Sequence, residues 1–168
     1  MLASALAGSR DHLAGSFPSA RDSMTNVETQ RERIESALNE HAAGRRWPGV
    51  IIDGRTGLVV GRVALQDIVM GNRRSCFISY WLTAAALGRG HATRAVAGIL
   101  EVAFSQLRLH RVDAFVRPAN TASLAVLSRC GFDRIGIAKR HTYVGGDWHD
   151  EVLLQKIAPW DAPGILEP

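Results

Sequence analysis

Two closely spaced glycines near the middle of the chain have the spacing of a phosphate-binding turn. The turn reads Leu87-Gly88-Arg89-Gly90-His91-Ala92 and follows an apolar, aromatic run, Phe77 to Leu82, that is typical of a buried strand. Glycine lets a backbone approach a ligand closely. The free N–H groups of a first helical turn bind anions, with the positive end of the helix dipole behind them. The sequence therefore predicts a phosphate or pyrophosphate site, provided that a helix follows the turn.

The residues after the turn have the periodicity of an amphipathic helix. Apolar side chains recur at spacings of three and four, and polar side chains lie on the opposite face. The apolar set is Ala92, Ala95, Val96, Ile99, Leu100, Ala103 and Leu107, and the polar set is Arg94, Glu101, Ser105 and Arg108. The stretch from Tyr80 to Leu109 is therefore predicted to form a strand, a glycine turn and a helix.

Three kinds of phosphate site use such a turn. A P-loop needs Gly-Lys-Ser/Thr after the glycines, and no lysine is present here. A dinucleotide fold has a third glycine where this chain has Thr93, and an acidic residue about 20 positions further on, which Asp113 nearly matches. An oxidoreductase that uses a nicotinamide dinucleotide therefore stays open beside the third kind of site, a coenzyme A turn.

Length and charge narrow the class of protein. The 168 residues fit one domain with a proper core, and the net charge of +4 with a pI near 9.7 suits an anionic ligand. The basic pairs Arg45-Arg46 and Arg73-Arg74 have no interleaved aromatic residues. Direct binding of nucleic acid is therefore not expected.

Neither a membrane span nor a secretory signal is predicted. No apolar run approaches the roughly 20 residues that a span needs, and Met1 to Ser9 lack the basic start and long apolar middle of a signal. The two cysteines, Cys76 and Cys130, are expected to be reduced thiols in a cytoplasmic protein, with Cys130 as a small core residue.

The order of the predicted elements indicates one mixed α/β domain at residues 25–160, between a loose leader at 1–24 and an irregular tail at 161–168. Three antiparallel strands precede the glycine turn, whereas the turn of a dinucleotide fold follows its first parallel strand. Trp47-Pro48-Gly49 is expected to break the chain. The predicted elements are helix Thr25 to Ala43, strands Val50 to Asp53, Leu58 to Leu65 and Cys76 to Leu82, the long helix, strand Val112 to Val116, helix Thr121 to Arg129 capped by Asn120, strand Phe132 to Val144 bent near Gly136, and strand Trp148 to Ile157.

Several short motifs of the second half occur together in the order of a known family. They are Gly88-Arg89-Gly90-His91-Ala92-Thr93, Leu109-His110-Arg111-Val112, Pro118-Ala119-Asn120-Thr121-Ala122-Ser123, Gly131-Phe132 and Gly146-Asp147-Trp148-His149-Asp150. With them, the region from Val50 to Trp160 resembles the GNAT acyltransferase superfamily, and most closely its RimJ/RimL group of protein N-terminal acetyltransferases. The resemblance implies an α/β (α+β) fold with a mixed, mostly antiparallel central sheet flanked by helices. The short stretch before Thr25 implies a shortened N-terminal region.

The resemblance also implies acetyl-CoA as cofactor and no metal. The pyrophosphate would lie on the amides of Leu87, Gly88, Arg89, Gly90, His91 and Ala92, with a hydroxyl added by Thr93. The pantetheine arm would lie along Tyr80 to Thr83, with a backbone N–H near Leu82 polarising the thioester oxygen. Asn120 and Ser123 match family positions beside this arm, although Asn120 also fits a plain helix cap and Ser123 a backbone partner. His91 is otherwise expected to be an exposed loop residue.

The chain departs from the family at its proton donor. Many members have a tyrosine where this chain has Leu127, and the RimJ/RimL group lacks it too, so Ser123 or a water would protonate the departing thiolate. Tyr143, His141 and Asp150 on the final hairpin are the candidates for proton handling. Ser123 and Tyr143 are the predicted catalytic residues.

The reaction implied is transfer of an acetyl group to a primary amine, with a protein N-terminal α-amine favoured. At neutral pH about one α-amine in ten is unprotonated but only about one lysine in 2,500, so an α-amine requires little from a general base. A ribosomal protein is a possible acceptor, and the protein is expected to be a monomer or a homodimer. Two alternatives stay open. They are an acyl-CoA-binding module with weak catalysis, as a sensor or partner subunit, and an acetyltransferase of small amines or antibiotics.

Overall fold

A helix, α1 (Val27–Ala42), begins the part of the chain that the computed structural model describes, residues 26–160. The side chain of Asn26 caps it by accepting hydrogen bonds from the N–H groups of Glu28 and Thr29 at 2.9 and 3.1 Å. The helix ends before Gly44, whose φ of +71° suits a glycine stop. The predicted first helix is confirmed; the predicted leader and tail lie outside the described residues.

Within the described residues, six strands form one sheet. They are β1 (Trp47–Ile52), β2 (Val59–Val69), β3 (Ser75–Leu82), β4 (Arg111–Val116), β5 (Asp133–Val144) and β6 (Asp147–Ile157). The order across the sheet is β1-β2-β3-β4-β6-β5, and every neighbouring pair is antiparallel except β3 and β4. This confirms the mixed, mostly antiparallel sheet, and it is not the parallel sheet that a dinucleotide fold requires.

Two strand boundaries differ from the prediction. β1 begins at Trp47 and includes Pro48, which was expected to break the chain. Proline is tolerated there because β1 is an edge strand, where one side of the backbone needs no partner. β2 continues past Leu65 to Val69. A bulge at Asp67, with φ of 50°, shifts the register with β3, and the pairing resumes at Val69. The predicted bend of β5 near Gly136 is confirmed by a register shift at that residue.

Two further helices connect the central strands. α2 (His91–Glu101) follows the glycine turn, and α3 (Thr121–Arg129) follows β4. The chain continues α2 as one π-helical turn, Val102–Gln106, in which the N–H of Leu107 donates to the carbonyl of Val102 at 3.0 Å. The wider turn shifts the helical phase, so Phe104 is buried, although the regular period did not place it on the apolar face.

The core lies between α2 and one face of the sheet. Alternate residues of the central strands point into it, including Cys76 and Ile78 on β3 and Val112 and Ala114 on β4. Cys76 is fully buried in the core, and Cys130, predicted as a small core residue, is half-buried and packs against the core; both thiols are free.

Within residues 26–160, no helix is long and apolar enough to cross a membrane. The same part of the chain contains no group of three or more His, Cys, Asp or Glu side chains arranged to hold a metal ion.

Candidate functional site

The glycine turn has the conformation that an anion site needs. Gly88 and Gly90 adopt φ values of +70° and +74°, and Gly90 is the N-terminal cap of α2. The first hydrogen bond of α2 runs from the N–H of Arg94 to the carbonyl of Gly90 at 3.1 Å. The N–H groups of residues 91–93 therefore have no acceptor within the helix and point out of its end.

The N–H of Leu87, which was predicted to contact the pyrophosphate, has an acceptor within the protein. Its N–H donates to the carbonyl of Ala84 at 3.3 Å, which closes a 3₁₀ turn at Ala84–Ala86. The amide of Leu87 is therefore already used, and the row of amides that can contact an anion begins at Gly88. The side chain of Leu87 is exposed.

A second feature is the opening between β3 and β4. Their pairing stops at Phe77 and Asp113, although β3 continues to Leu82. On the other side of β3, the N–H of Thr83 donates to the carbonyl of Val60 at 2.8 Å. In antiparallel pairing this makes Leu82 and Tyr80 non-hydrogen-bonded positions, so their N–H and C=O groups point away from β2 and towards the opening.

Ser123 and Asn120 lie together at the start of α3. The Asn120 side chain accepts a hydrogen bond from the N–H of Ser123 at 3.1 Å, as predicted for the cap, which leaves its NH₂ group for other partners. The hydroxyl of Ser123 lies 2.7 Å from the hydroxyl of Tyr80. This contact joins α3 to β3 next to the opening. It was not predicted, because the two residues are 43 positions apart in the sequence.

Burial determines the protonation state of Tyr80. It raises the pKa of the phenol to about 12, against a smaller lowering by the hydrogen bond with Ser123. The phenol therefore keeps its proton at neutral pH and can donate it to Ser123, which in turn frees the Ser123 hydroxyl hydrogen to point elsewhere.

His91 is not the exposed loop residue that was expected. It is the first residue of α2, is 9% exposed, and its Nε2 lies 3.7 Å from a carboxylate oxygen of Asp53. The backbone N–H of Arg55, and to a smaller extent the positive charges nearby, hold the pKa of Asp53 below its usual value. No spacing in the sequence indicated this contact, because Asp53 lies on the hairpin between β1 and β2.

A cavity of about 750 Å³ adjoins the turn on the side of this hairpin. Arg55, Arg89 and Arg94 line it with positive charge, and Asp53 and His91 lie in its wall. Its charge is complementary to an anionic ligand held at the start of α2.

Leu127, at the position where many GNAT members have a tyrosine, is buried in the core and does not face the candidate site. Leu127 is completely buried in the core, with 0% exposure. A side chain at this position therefore packs in the interior, and it cannot reach a ligand without displacing its neighbours.

We expect Leu127→Tyr to lower the free energy of unfolding by about 1–3 kcal/mol, because the larger side chain overpacks the core, and not to raise turnover. Ser128→Tyr, at the exposed next position of α3, is the matched control and should leave stability nearly unchanged. Urea unfolding and steady-state kinetics test both variants. A higher kcat with unchanged stability for Leu127→Tyr would contradict this placement of Leu127.

The three proton-handling candidates on the hairpin of β5 and β6 have different surroundings. Asp150 accepts hydrogen bonds from Lys139 and then from the N–H of Arg140, and these hold its pKa below the ordinary value, so it is a poor base. Tyr143 is 59% exposed and packs against Trp148, with ring centroids 5.4 Å apart. His141 stacks on Phe115.

The hairpin also contains an acidic residue, Glu151, that no pattern in the sequence indicated. Glu151 lies 2.8 Å from Nδ1 of His141. A regular hairpin closed at residues 145–146 would place His141 opposite residue 150. The irregular pairing after Ala138, with Arg140 at φ of 48°, brings Glu151 into contact instead.

Comparisons with known proteins agree with this geometry. Residues 7–133 match the family model described as an acetyltransferase (GNAT) domain. The chain is 34% identical over 140 residues to the probable N-acetyltransferase YjcK of Bacillus subtilis (strain 168), covering 83% of this chain and 77% of that protein.

Two solved structures are similar in fold and in sequence. Mycobacterium smegmatis RimJ, in complex with CoA-disulfide, has a TM-score of 0.76 and 36% identity, covering 80% of this chain and 63% of that one. The ribosomal-protein-S5-alanine acetyltransferase of Vibrio fischeri has a TM-score of 0.88 and 27% identity, covering 96% of this chain and 88% of that one.

Proposed function

The chain belongs to the GNAT acetyltransferase family, and from this premise we propose that it acetylates the N-terminal α-amine of a protein. It is an N-acetyltransferase, and acetyl-CoA is its acetyl donor. The observation that carries the choice of acceptor is the similarity to the Vibrio fischeri enzyme, which covers 96% of this chain and whose own acceptor is ribosomal protein S5. A ribosomal acceptor would place the protein in the cytoplasm.

The described residues fit the donor. Acetyl-CoA supplies an acetyl group that is activated as a thioester. The N–H groups of residues 88–93 would hold its pyrophosphate, and nothing lies within 4 Å of a Cβ position at Gly88, so a ligand can approach the backbone there. The outward backbone groups of Tyr80 and Leu82 would hold the pantetheine amides as a neighbouring strand does. The cationic side of the turn, with Arg89, adds charge complementarity.

Two groups of the chain would serve the chemical step. The N–H of Leu82 points into the opening, where it would polarise the thioester oxygen. The hydroxyl of Ser123 would give its proton to the departing sulfur, and the phenol of Tyr80 would replace that proton along their 2.7 Å hydrogen bond. This pair takes the place of the family tyrosine that Leu127 cannot supply. Tyr143, exposed at the hairpin, stays a predicted catalytic residue.

We expect the purified chain to acetylate a short peptide that begins with alanine or serine and to leave the same peptide untouched when its N-terminus is blocked, even if it contains a lysine. The physical reason is the roughly 250-fold larger fraction of free amine at an α-amino group near neutral pH. Release of coenzyme A and mass spectrometry of the product measure rate and position.

The same assay is run with spermidine and with an aminoglycoside as acceptors, which represent small amines and antibiotics. A preference for the lysine, for spermidine or for the aminoglycoside would contradict the proposed acceptor class. Tight binding of acetyl-CoA with no turnover on any amine would instead indicate a binding module.

A further inference from the structure

The face of the sheet opposite α2 and α3 carries a row of aromatic rings beside the opening. Val112, Ala114 and Val116 of β4 point into the core, so Phe115 between them points to the other face. Its ring lies 5.3 Å from that of Phe77, the last residue of β3 that pairs with β4. Phe115 therefore lies at the edge of the opening, on the side away from the glycine turn.

His141 extends this row. Its imidazole stacks on Phe115 with centroids 4.0 Å apart and planes 20° apart, which fixes the plane of the imidazole. One nitrogen, Nδ1, lies 2.8 Å from Oε2 of Glu151. The same oxygen accepts a hydrogen bond from the hydroxyl of Thr142 at 2.6 Å, so the carboxylate is held from two sides.

The two partners differ in exposure. The side chain of Glu151 is 12% exposed and that of His141 is 40% exposed. The carboxylate of Glu151 is therefore mostly buried, and the imidazole of His141 is the part of the pair that solvent or a ligand can contact. A carboxylate on Nδ1 fixes the tautomer with the proton on Nδ1, and it leaves Nε2 as the acceptor that faces away.

Two other carboxylates on the elements around His141, those of Asp150 and Asp113, are already paired. Asp150 of β6 is bound to Lys139 of β5 at 2.7 Å, and its second oxygen accepts from the N–H of Arg140. On β4, Asp113 is bound to Arg111 at 3.0 Å. Glu151 is thus the charged group in direct contact with the imidazole.

We propose that His141, oriented by Glu151, is the general base that removes a proton from the acceptor ammonium. His141 would be the catalytic residue, because its Nε2 would contact the reacting amine, whereas Glu151 and Thr142 would be positioning residues. The inference rests on the proposed function in one respect, since it requires a primary amine that approaches the opening from the face opposite the glycine turn.

Nε2 of His141 takes one proton from the ammonium, and the carboxylate of Glu151 stabilises the imidazolium that results. The neutral amine then forms the N–C bond while the C–S bond breaks. The amine nitrogen loses its second proton to solvent, and the Tyr80 phenolate that remains after the sulfur is protonated through Ser123 takes one proton from solvent. The imidazolium returns its proton to solvent, so one proton is released in all. The products are the N-acetyl amine and the free thiol of coenzyme A.

The predicted signature is in the pH dependence of kcat/KM. A general base lets the protonated acceptor react, so the wild type should keep its activity at pH values below the pKa of the acceptor amine. Without the base, only acceptor molecules that are already neutral react. The acid limb of the kcat/KM profile then lies at the pKa of the acceptor amine, about 7.7–8.0 for an α-amine. His141→Phe and His141→Gln should therefore lose about tenfold at pH 7 and approach the wild-type rate above about pH 9.

Three variants make the test specific. His141→Phe keeps the stacking on Phe115 and removes only the base, which separates chemistry from packing. Glu151→Gln keeps the shape and removes the charge, and it should show a smaller loss in the same direction. His149→Gln is the matched control, because His149 is on the same hairpin and its Nε2 contacts the carbonyl of Val144. It should keep the wild-type profile.

The outcomes separate this inference from the proposed function. The assay uses whichever amine the wild type acetylates fastest. If that amine is spermidine or a lysine, the proposed acceptor class is wrong. The role of His141 and Glu151 is still tested, because the acid limb of the variants is then expected at the pKa of that amine. A loss of activity in His141→Phe that stays constant from pH 6 to 9 would overturn the base assignment, and so would an unchanged profile.

Discussion

Gly90→Val should weaken the binding of acetyl-CoA at least about a hundredfold, which corresponds to about 2.7 kcal/mol. Gly90 has φ of +74°, which a β-branched residue avoids at a cost of roughly 1–3 kcal/mol. A Cβ at this position would also lie 3.2 Å from a guanidinium nitrogen of Arg94. The substitution therefore both distorts the turn and fills the space through which an anion reaches the amides of α2.

The matched control for this substitution is Gly44→Val. Gly44 has nearly the same φ, +71°, and no atom lies within 4 Å of its Cβ position, but it is at the end of α1, outside the turn. Both variants should lose similar stability in thermal unfolding, while calorimetric titration should show normal affinity for Gly44→Val only. Normal affinity of a folded Gly90→Val would contradict the assignment of the turn.

Ser123→Ala should lower kcat about a hundredfold and leave the affinity for acetyl-CoA nearly unchanged, as expected for a proton donor that acts only in the transition state. Its N–H would still bond the Asn120 side chain, so the start of α3 should stay intact. Pre-steady-state turnover on an N-terminal peptide and calorimetry measure the two quantities separately.

Tyr80→Phe tests whether the phenol acts through Ser123. The phenylalanine keeps the ring and removes the hydroxyl that lies 2.7 Å from the serine. If the two hydroxyls act as one unit, the double variant should lose no more activity than Ser123→Ala alone. Additive losses would show that they act independently, and an unchanged kcat in Ser123→Ala would remove the serine from the mechanism.

The turn and its helix could be predicted because their causes are local. Gly88 and Gly90 are needed for positive φ values, and the three- and four-residue spacing from Ala92 onwards sets the buried face of α2. The cap at Asn120 is equally local, since its partner is three residues away. Each of these features depends on neighbouring residues alone, so a short stretch of the sequence is enough to predict it.

The remaining features depend on contacts between distant parts of the chain. Pro48 lies in a strand because β1 is at the sheet edge, and edge position is a property of the whole sheet. His91 contacts Asp53 of the hairpin between β1 and β2, and Ser123 is hydrogen-bonded to Tyr80 of β3. Glu151 contacts His141 only because a bulge changes the register of β5 and β6. No local pattern contains any of these.

Calorimetric titration of the purified chain with acetyl-CoA, with NAD as the control ligand, tests the central assignment most directly. The geometry of the glycine turn and of the opening between β3 and β4 predicts micromolar binding of acetyl-CoA and none of NAD. Binding of NAD, or the absence of acetyl-CoA binding by a folded protein, would contradict it.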